Sequence, residues 1–188
     1  MSDELKQNLS MMLGEMGAIF ERVEDAAVDR LVALVLESPR VFTAAAGRSG
    51  MLLRCAAMRL MHMGKTVYVV GEIVTPAIAK RDLLLMVSGS GETGSLVNMA
   101  TKAKQLGAGI AVITANSEST LAGLADVLVK IAAPTPKAAV RGFVQSSQPM
   151  GNLFEQSAFL LLDAIVMELM SKTGKTSEAM FERHANLE

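Results

Sequence analysis

Leu83-Leu84-Leu85-Met86-Val87, followed at once by Ser88-Gly89-Ser90-Gly91-Glu92-Thr93-Gly94, decides how this chain reads. An unbroken apolar run of that length predicts a strand buried on both faces, as in a parallel sheet. The run then breaks into glycines and hydroxyls and enters a helix that begins near Thr93. Such a turn is a device for holding phosphate. Glycines let consecutive N–H groups converge on one spot, and the helix adds the positive end of its dipole. Ser88, Ser90 and Thr93 supply hydroxyl donors.

The same segment fits Gly-x-Gly-x-x-Gly through Gly89, Gly91 and Gly94, so a dinucleotide site is a rival reading. That fingerprint wants an acidic residue about 20 positions on, at the end of the next strand, to hold a ribose hydroxyl. Here the next strand, Gly109 to Thr114, runs into Ala115-Asn116-Ser117, and Glu118 comes too late. The first strand carries a different turn, Gly47-Arg48-Ser49-Gly50. Two hydroxyl-bearing turns at successive strand ends favour a small phosphorylated molecule lying between them. A nucleotide, and a third reading in which the glycines only allow tight strand-to-helix packing, stay open.

Outward from this turn, short apolar runs alternate with helices. Strands are expected at Val41 to Ala46, Val67 to Val70, Leu83 to Val87, Gly109 to Thr114 and Val127 to Ile131. Helices are expected at Gly50 to Met63, Ser95 to Leu106 and Thr120 to Leu124. This alternation predicts an α/β fold, a doubly wound five-stranded parallel sheet flanked by helices, with ligands at the carboxyl ends of the strands. Before the sheet, Leu5, Leu9, Met12, Leu13, Met16, Phe20 and Val23 recur at helical spacing. A second helix, Val28 to Leu36, is stopped by Ser38-Pro39. After the sheet, Ala132 to Gly151 shows no periodicity and holds Pro134, Pro136 and Pro149; irregular connections of that length tend to be functional. A long helix from Asn152 to Met170, apolar nearly all round, is expected at the centre of the domain or of an assembly. Gly174-Lys175-Thr176 is not a P-loop, because Leu169 stands where the first glycine is needed.

With 188 residues the chain reads as one domain, 1–188, with N-terminal helices within 3–37. A C-terminal tail, 171–188, is expected to pack on the core or on a neighbouring subunit. A net charge of −1, no tryptophan and one tyrosine argue against nucleic acid as a partner. Cys55 is the single cysteine, which excludes an intramolecular disulfide and a cysteine metal cluster; its apolar surroundings predict a buried thiol. The acidic start Met1-Ser2-Asp3-Glu4 lacks the basic region of a signal peptide, and no apolar run is long enough to span a bilayer. A soluble, cytoplasmic protein with no membrane partner is expected. Hydrophobic content of 51% with 14 methionines leaves apolar surface to hide, so self-association is expected.

Gly47-Arg48-Ser49-Gly50, the Ser88 to Thr93 turn and Glu155 near a helix start resemble the sugar isomerase (SIS) domain, which binds phosphosugars. Further segments resemble the 6-phospho-3-hexuloisomerase branch of that family. They are Thr75-Pro76-Ala77-Ile78, Pro149-Met150-Gly151-Asn152-Leu153-Phe154-Glu155-Gln156 and the terminal Arg183-His184-Ala185-Asn186-Leu187-Glu188. The resemblance covers nearly the whole chain. Asn152 departs from it, standing where the family pattern has threonine. The resemblance implies a flavodoxin-like sheet, usually a homotetramer, and no metal or organic cofactor. It implies interconversion of D-arabino-hex-3-ulose 6-phosphate and D-fructose 6-phosphate, the step after aldol fixation of formaldehyde in the ribulose monophosphate pathway.

That reaction moves a carbonyl from C3 to C2 through a 2,3-enediol. It needs a base, a donor to the developing enediolate and a clamp on the phosphate. Glu155 resembles the family's base, while Asn152-x-x-Glu155 also reads as a capping box; both roles fit a helix start. His184 is a second candidate through the terminal resemblance alone. With O6 esterified the 3-ketose has no hydroxyl placed to close a five- or six-membered ring. His184 is therefore cast as a shuttle between O2 and O3, or as an aid to opening the ketose ring, from a neighbouring subunit. The expected phosphate and substrate ligands are Arg48, Ser49, Ser88, Gly89, Ser90 and Thr93. Arg48 can equally hold a neighbouring subunit, Glu92 is expected to point outward or to cap, and His62 to meet the last carbonyls of its helix. Two other readings stand beside this one: another SIS aldose–ketose isomerase, and a phosphosugar sensor without catalysis.

Overall fold

The central strand of the sheet is the run that dominates the sequence. In the computed structural model, which describes residues 1–136 and 142–187, β3 (Leu83–Val87) is buried along its whole length. Around it lie β1 (Arg40–Ala45), β2 (Thr66–Val69), β4 (Gly109–Thr114) and β5 (Val127–Lys130). The five strands run parallel in the order β2-β1-β3-β4-β5. The order reverses direction between β1 and β3, so the turns that leave these two strands diverge to opposite faces and open a crevice between them.

Because successive side chains on a strand alternate faces, each strand feeds two cores. Val41, Leu83, Leu85, Ala111 and Ile113 point to one face, Phe42, Leu84, Met86, Ile110 and Val112 to the other. The second face is covered by α4 (Gly94–Gln105) and α5 (Thr120–Leu124). The first is covered by α1 (Asp3–Phe20), α2 (Asp25–Glu37), α3 (Gly47–His62) and α6 (Asn152–Thr173), with Met180 of the short α7 (Ser177–Phe181) at its margin. At the amino ends of the strands Arg40 clasps the buried Asp82, Nε to Oδ1 2.9 Å, and ties β1 to the start of β3.

Local chemistry sets the helix ends. Ser2 caps α1 through a hydrogen bond from the Leu5 N–H, with Asp3 and Glu4 in the first turn where the dipole favours them. Gly174, at φ 66°, is the left-handed cap of α6, and the Thr176 side chain caps α7. That accounts for Gly174-Lys175-Thr176: one helix stops and another starts. The tail is thus partly helical, and α6 continues past Met170 to Thr173.

Two expectations need correction. Cys55 is exposed, because α3 turns Leu52, Leu53, Ala56, Ala57 and Leu60 inward and leaves Met51, Cys55 and Met58 on the opposite side. The helix α6 is not one of these: it buries one broad face, Leu153, Phe154, Ala158, Leu161, Leu162, Ile165, Val166 and Leu169, and Phe159, Leu160 and Met167, which it leaves exposed, are apolar too. Each large side chain on the buried face contributes about 1.5–3 kcal/mol. The capping box at Asn152 does not form: Gly151 is the cap residue and Asn152 is already helical. Of the irregular stretch 132–151, residues 137–141 lie outside the described residues, as does Glu188 of the terminal segment.

Candidate active site

The Ser88–Gly94 turn leaves β3 at the sheet's switch point, and its shape is dictated by two close approaches. Gly91 has φ 67°, and a Cβ there would lie 2.0 Å from the Ser119 hydroxyl. At Gly89 a Cβ would lie 2.8 Å from the Thr135 methyl and 3.2 Å from the Phe154 ring. Gly94, the third glycine of the dinucleotide pattern, faces nothing within 4 Å, so the packing role that pattern assigns to it is unused here.

The hydroxyls of the turn divide their work. Ser88 Oγ accepts from the Gly91 N–H at 3.2 Å and is buried, so it shapes the turn from beneath. Ser90 Oγ accepts from the Glu92 N–H at 3.2 Å, and Ser90, though also buried, lines an open cleft of about 250 Å³. Ser49, from the first turn of α3, and Gly89 line the same cleft. Thr93 is the cap residue of α4 and is not among the residues lining it. Glu92 turns away: its carboxylate accepts from the Thr120 N–H (2.7 Å) and hydroxyl (2.8 Å) at the start of α5. These hydrogen bonds, the backbone one first, hold its carboxyl below the usual range.

Glu155 closes the opposite wall, in the first turn of α6. Arg48 Nε lies 3.3 Å from Glu155 Oε2, and the same guanidinium donates to the Asn152 side-chain carbonyl. Arg48 is therefore committed to the carboxylate wall and brings α3 and α6 together at the mouth of the cleft. A second depression, lined by Arg48, Met51, Cys55, Gln156 and Phe159, shares Glu155 with the first. Sequence reading assigned no role at the site to Thr135, Pro136, Met150, Gly151 and Phe154, which complete the first cleft. The prolines and the lack of periodicity over 132–151 were the signal for Thr135 and Pro136, whereas Met150 and Phe154 lie in the segment Pro149 to Gln156 that resembles the family.

His184 is elsewhere. It lines another cleft with Arg59, His62, Asp163, Met167 and Phe181. Its ring stacks on His62 (centroids 5.5 Å apart) and Phe181 (5.6 Å), and its Nδ1 is 3.0 Å from the Ala185 carbonyl. His62 is buried against it, with Nδ1 3.4 Å from Arg59 Nη1, so its company is rings and cations in place of the expected carbonyls. Burial, then the charges of Arg59 and His184, push the His62 imidazole below its ordinary value.

The SIS domain family matches residues 34–159 of the chain. A 3-hexulose-6-phosphate isomerase of Bacillus subtilis is 46% identical over 166 residues, 88% of this chain and 89% of the relative. The Mycobacterium gastri protein of the same name is 45% identical over 186 residues, 99% of this chain and 92% of the relative. A solved structure from Methanococcus jannaschii, described as inferring a function of 3-hexulose-6-phosphate isomerase, superimposes with a TM-score of 0.84 at 30% identity. It covers 97% of this chain and 99% of its own.

Proposed function

The chain belongs to the SIS domain family, and from that premise we propose its chemistry: it is an isomerase that interconverts D-arabino-hex-3-ulose 6-phosphate and D-fructose 6-phosphate. The observation that carries this reading is a carboxylate, Glu155, facing a serine-glycine turn across one cleft, in a chain so similar to named 3-hexulose-6-phosphate isomerases.

In this reading the phosphate rests against the Ser88–Thr93 turn and Ser49, where backbone N–H groups and hydroxyls converge. Ser90 and Ser49 give the direct hydroxyl contacts, Ser88 keeps the turn in shape, and Thr93 starts the helix whose dipole favours the anion. Anchoring the phosphate at one end lays the sugar carbons toward Glu155. The carboxylate removes the proton on C2, which the C3 ketone acidifies. The electron pair forms the 2,3-enediolate, the developing O3 anion takes a proton, O2 loses one, and the proton held by Glu155 returns at C3. The C2 hydroxyl thereby becomes the ketone and the C3 ketone the hydroxyl, with no net oxidation. Arg48 orients the carboxylate and keeps it at the mouth of the cleft.

Because His184 lines a cleft separate from that of Glu155, its shuttle between O2 and O3 is assigned to a neighbouring subunit of a homotetramer. Exposed apolar side chains support such an assembly: Leu5, Leu9 and Leu13 on α1, Met51 on α3, and Phe159 and Met167 on α6. The reaction belongs after formaldehyde fixation in the ribulose monophosphate pathway, in the cytoplasm.

Proton NMR in deuterated water with fructose 6-phosphate tests the assignment. Deuterium incorporated at C3, or accumulation of the 3-hexulose, is expected. A substrate that binds and shows neither would identify a sensor.

A further inference from the structure

Apart from the groups that meet the sugar, one carboxylate holds a wall of the cleft in place. Glu15, on α1, accepts hydrogen bonds from the strap 142–151: from Ser146 Oγ at 2.7 Å, Gln148 Nε2 at 2.8 Å and the Ser147 N–H at 3.1 Å. The strap is braced within itself, since Ser146 Oγ accepts from the Gln148 N–H at 3.0 Å. The Pro149 carbonyl then accepts from the Asn152 N–H at 3.2 Å, linking the strap to the first turn of α6. Between these two points sits Met150, which lines the cleft in a left-handed conformation, φ 57°. The Met150 side chain is itself exposed, so it is the hydrogen-bonded backbone on either side of it that holds this uncommon conformation. Burial pushes the Glu15 carboxyl up, but hydrogen bonds from Ser146, Gln148 and Ser147 together outweigh it, so the group is an ionised acceptor.

We propose that Glu15 is a positioning residue for the isomerase site, holding residues 146–148 so that Met150 forms the wall against which the phosphosugar is gripped. The proposal rests on the reading of the cleft as the phosphosugar site. It concerns affinity more than turnover. Glu155 is oriented by α6 and Arg48, whereas the wall at Met150 depends on the strap.

Steady-state kinetics of the full chain test this with Glu15→Ala, Gln148→Ala and the double variant. Glu15→Ala is expected to raise KM for fructose 6-phosphate roughly tenfold with kcat within about threefold of wild type. Gln148→Ala should raise KM less, and the double variant should match Glu15→Ala, as for residues acting as one unit. Glu15→Gln should recover part of the affinity, because its one amide oxygen can still accept from Ser146 and Gln148, whereas its NH2 group cannot accept from the Ser147 N–H. An unchanged KM in Glu15→Ala, or effects of the two single variants that simply add, would overturn the proposal. So would a lowered Tm with wild-type KM, the mark of a mere tie between α1 and the strap. If Glu15→Ala does not fold, Gln148→Ala decides, since it removes one donor and leaves α1 intact. Amide exchange at Ser147 and Gln148 separates this from the functional reading. Should the wild type not act on fructose 6-phosphate at all, that reading fails, while faster exchange in Glu15→Ala still supports the anchor and unchanged exchange overturns it.

Discussion

Around Glu155 one wall is a backbone turn, and its shape leaves little choice of residue: Gly91 is left-handed and touches Ser119, and Gly89 has Thr135 and Phe154 against it. Around His184, at the far end of α3, the walls are side chains on helix faces, with His62, Phe181 and Arg59 arranged by stacking and charge. The first cleft inherits its geometry from the strand ends of the sheet. The second depends on which side chains α3, α6 and α7 present. Substitutions should therefore be tolerated very differently in the two places.

The largest effect is expected at the boundary of the first cleft. Glu155→Gln should keep binding fructose 6-phosphate while kcat falls by about 10²–10⁴-fold, as for loss of a sole general base. Full activity in that variant would break the comparison outright, because among the described residues no other carboxylate lines that cleft. His184→Ala should be milder, and mixing it with Glu155→Gln should restore activity if the two groups meet across a subunit boundary. Next in size is Gly91→Ala, which combines a left-handed backbone with a contact no Cβ survives. It should cost at least about 1–3 kcal/mol of stability, read by denaturant unfolding. A stable, active Gly91→Ala would show that the turn is less constrained than its contacts imply.

Ser90→Ala and Ser88→Ala sharpen the contrast within the turn. Ser90→Ala should weaken phosphosugar binding by about 1–3 kcal/mol with little change in Tm, whereas Ser88→Ala should act mainly through stability. Titration calorimetry beside thermal melts distinguishes the two. The smallest effect belongs to the second cleft. The His62 imidazole lies below its ordinary value of 6.5 in the fold, so the unfolded chain takes up its proton first as pH falls. Its neutral form contributes stability that is full above about pH 6.5 and declines as pH drops from there toward the folded value. His62→Gln should flatten the pH dependence of Tm in that window, and a wild-type slope in the variant would rule the group out as its source.

The strands were legible because each is a short apolar run closed by turn residues, and β3, β4 and α5 have the bounds expected from sequence. Strand order was not legible from the runs themselves, since pairings such as Val41 with Leu83 join residues far apart in the chain. Cys55 misled because composition does not reveal which side of a helix a residue occupies; only the spacing of Leu52, Ala56 and Leu60 does. Asn152 read as a cap, but a partner from α3, Arg48, takes its side-chain oxygen. The serine-glycine turn stood out because glycine and serine are informative there, whereas Thr135 and Met150 sit where no periodicity marks a wall.

The parallel sheet also sets the order in which this chain can assemble. Parallel neighbours cannot be joined by a hairpin, so every pairing waits for a crossover, and such topologies fold slowly. During synthesis β1, α3 and β2 emerge after α1 and α2, and β3 must then dock on the other edge of β1. The face carrying Val41, Leu85 and Ile113 needs α6 as well as α1, α2 and α3 to cover it, and α6 leaves the ribosome after every strand. Until then a nascent chain displays sticky apolar surface. Ribosome-stalled chains ending before Asn152 should bind chaperones far more than chains extended past Thr173, which makes α6 the element that seals the fold as well as the one that carries the carboxylate.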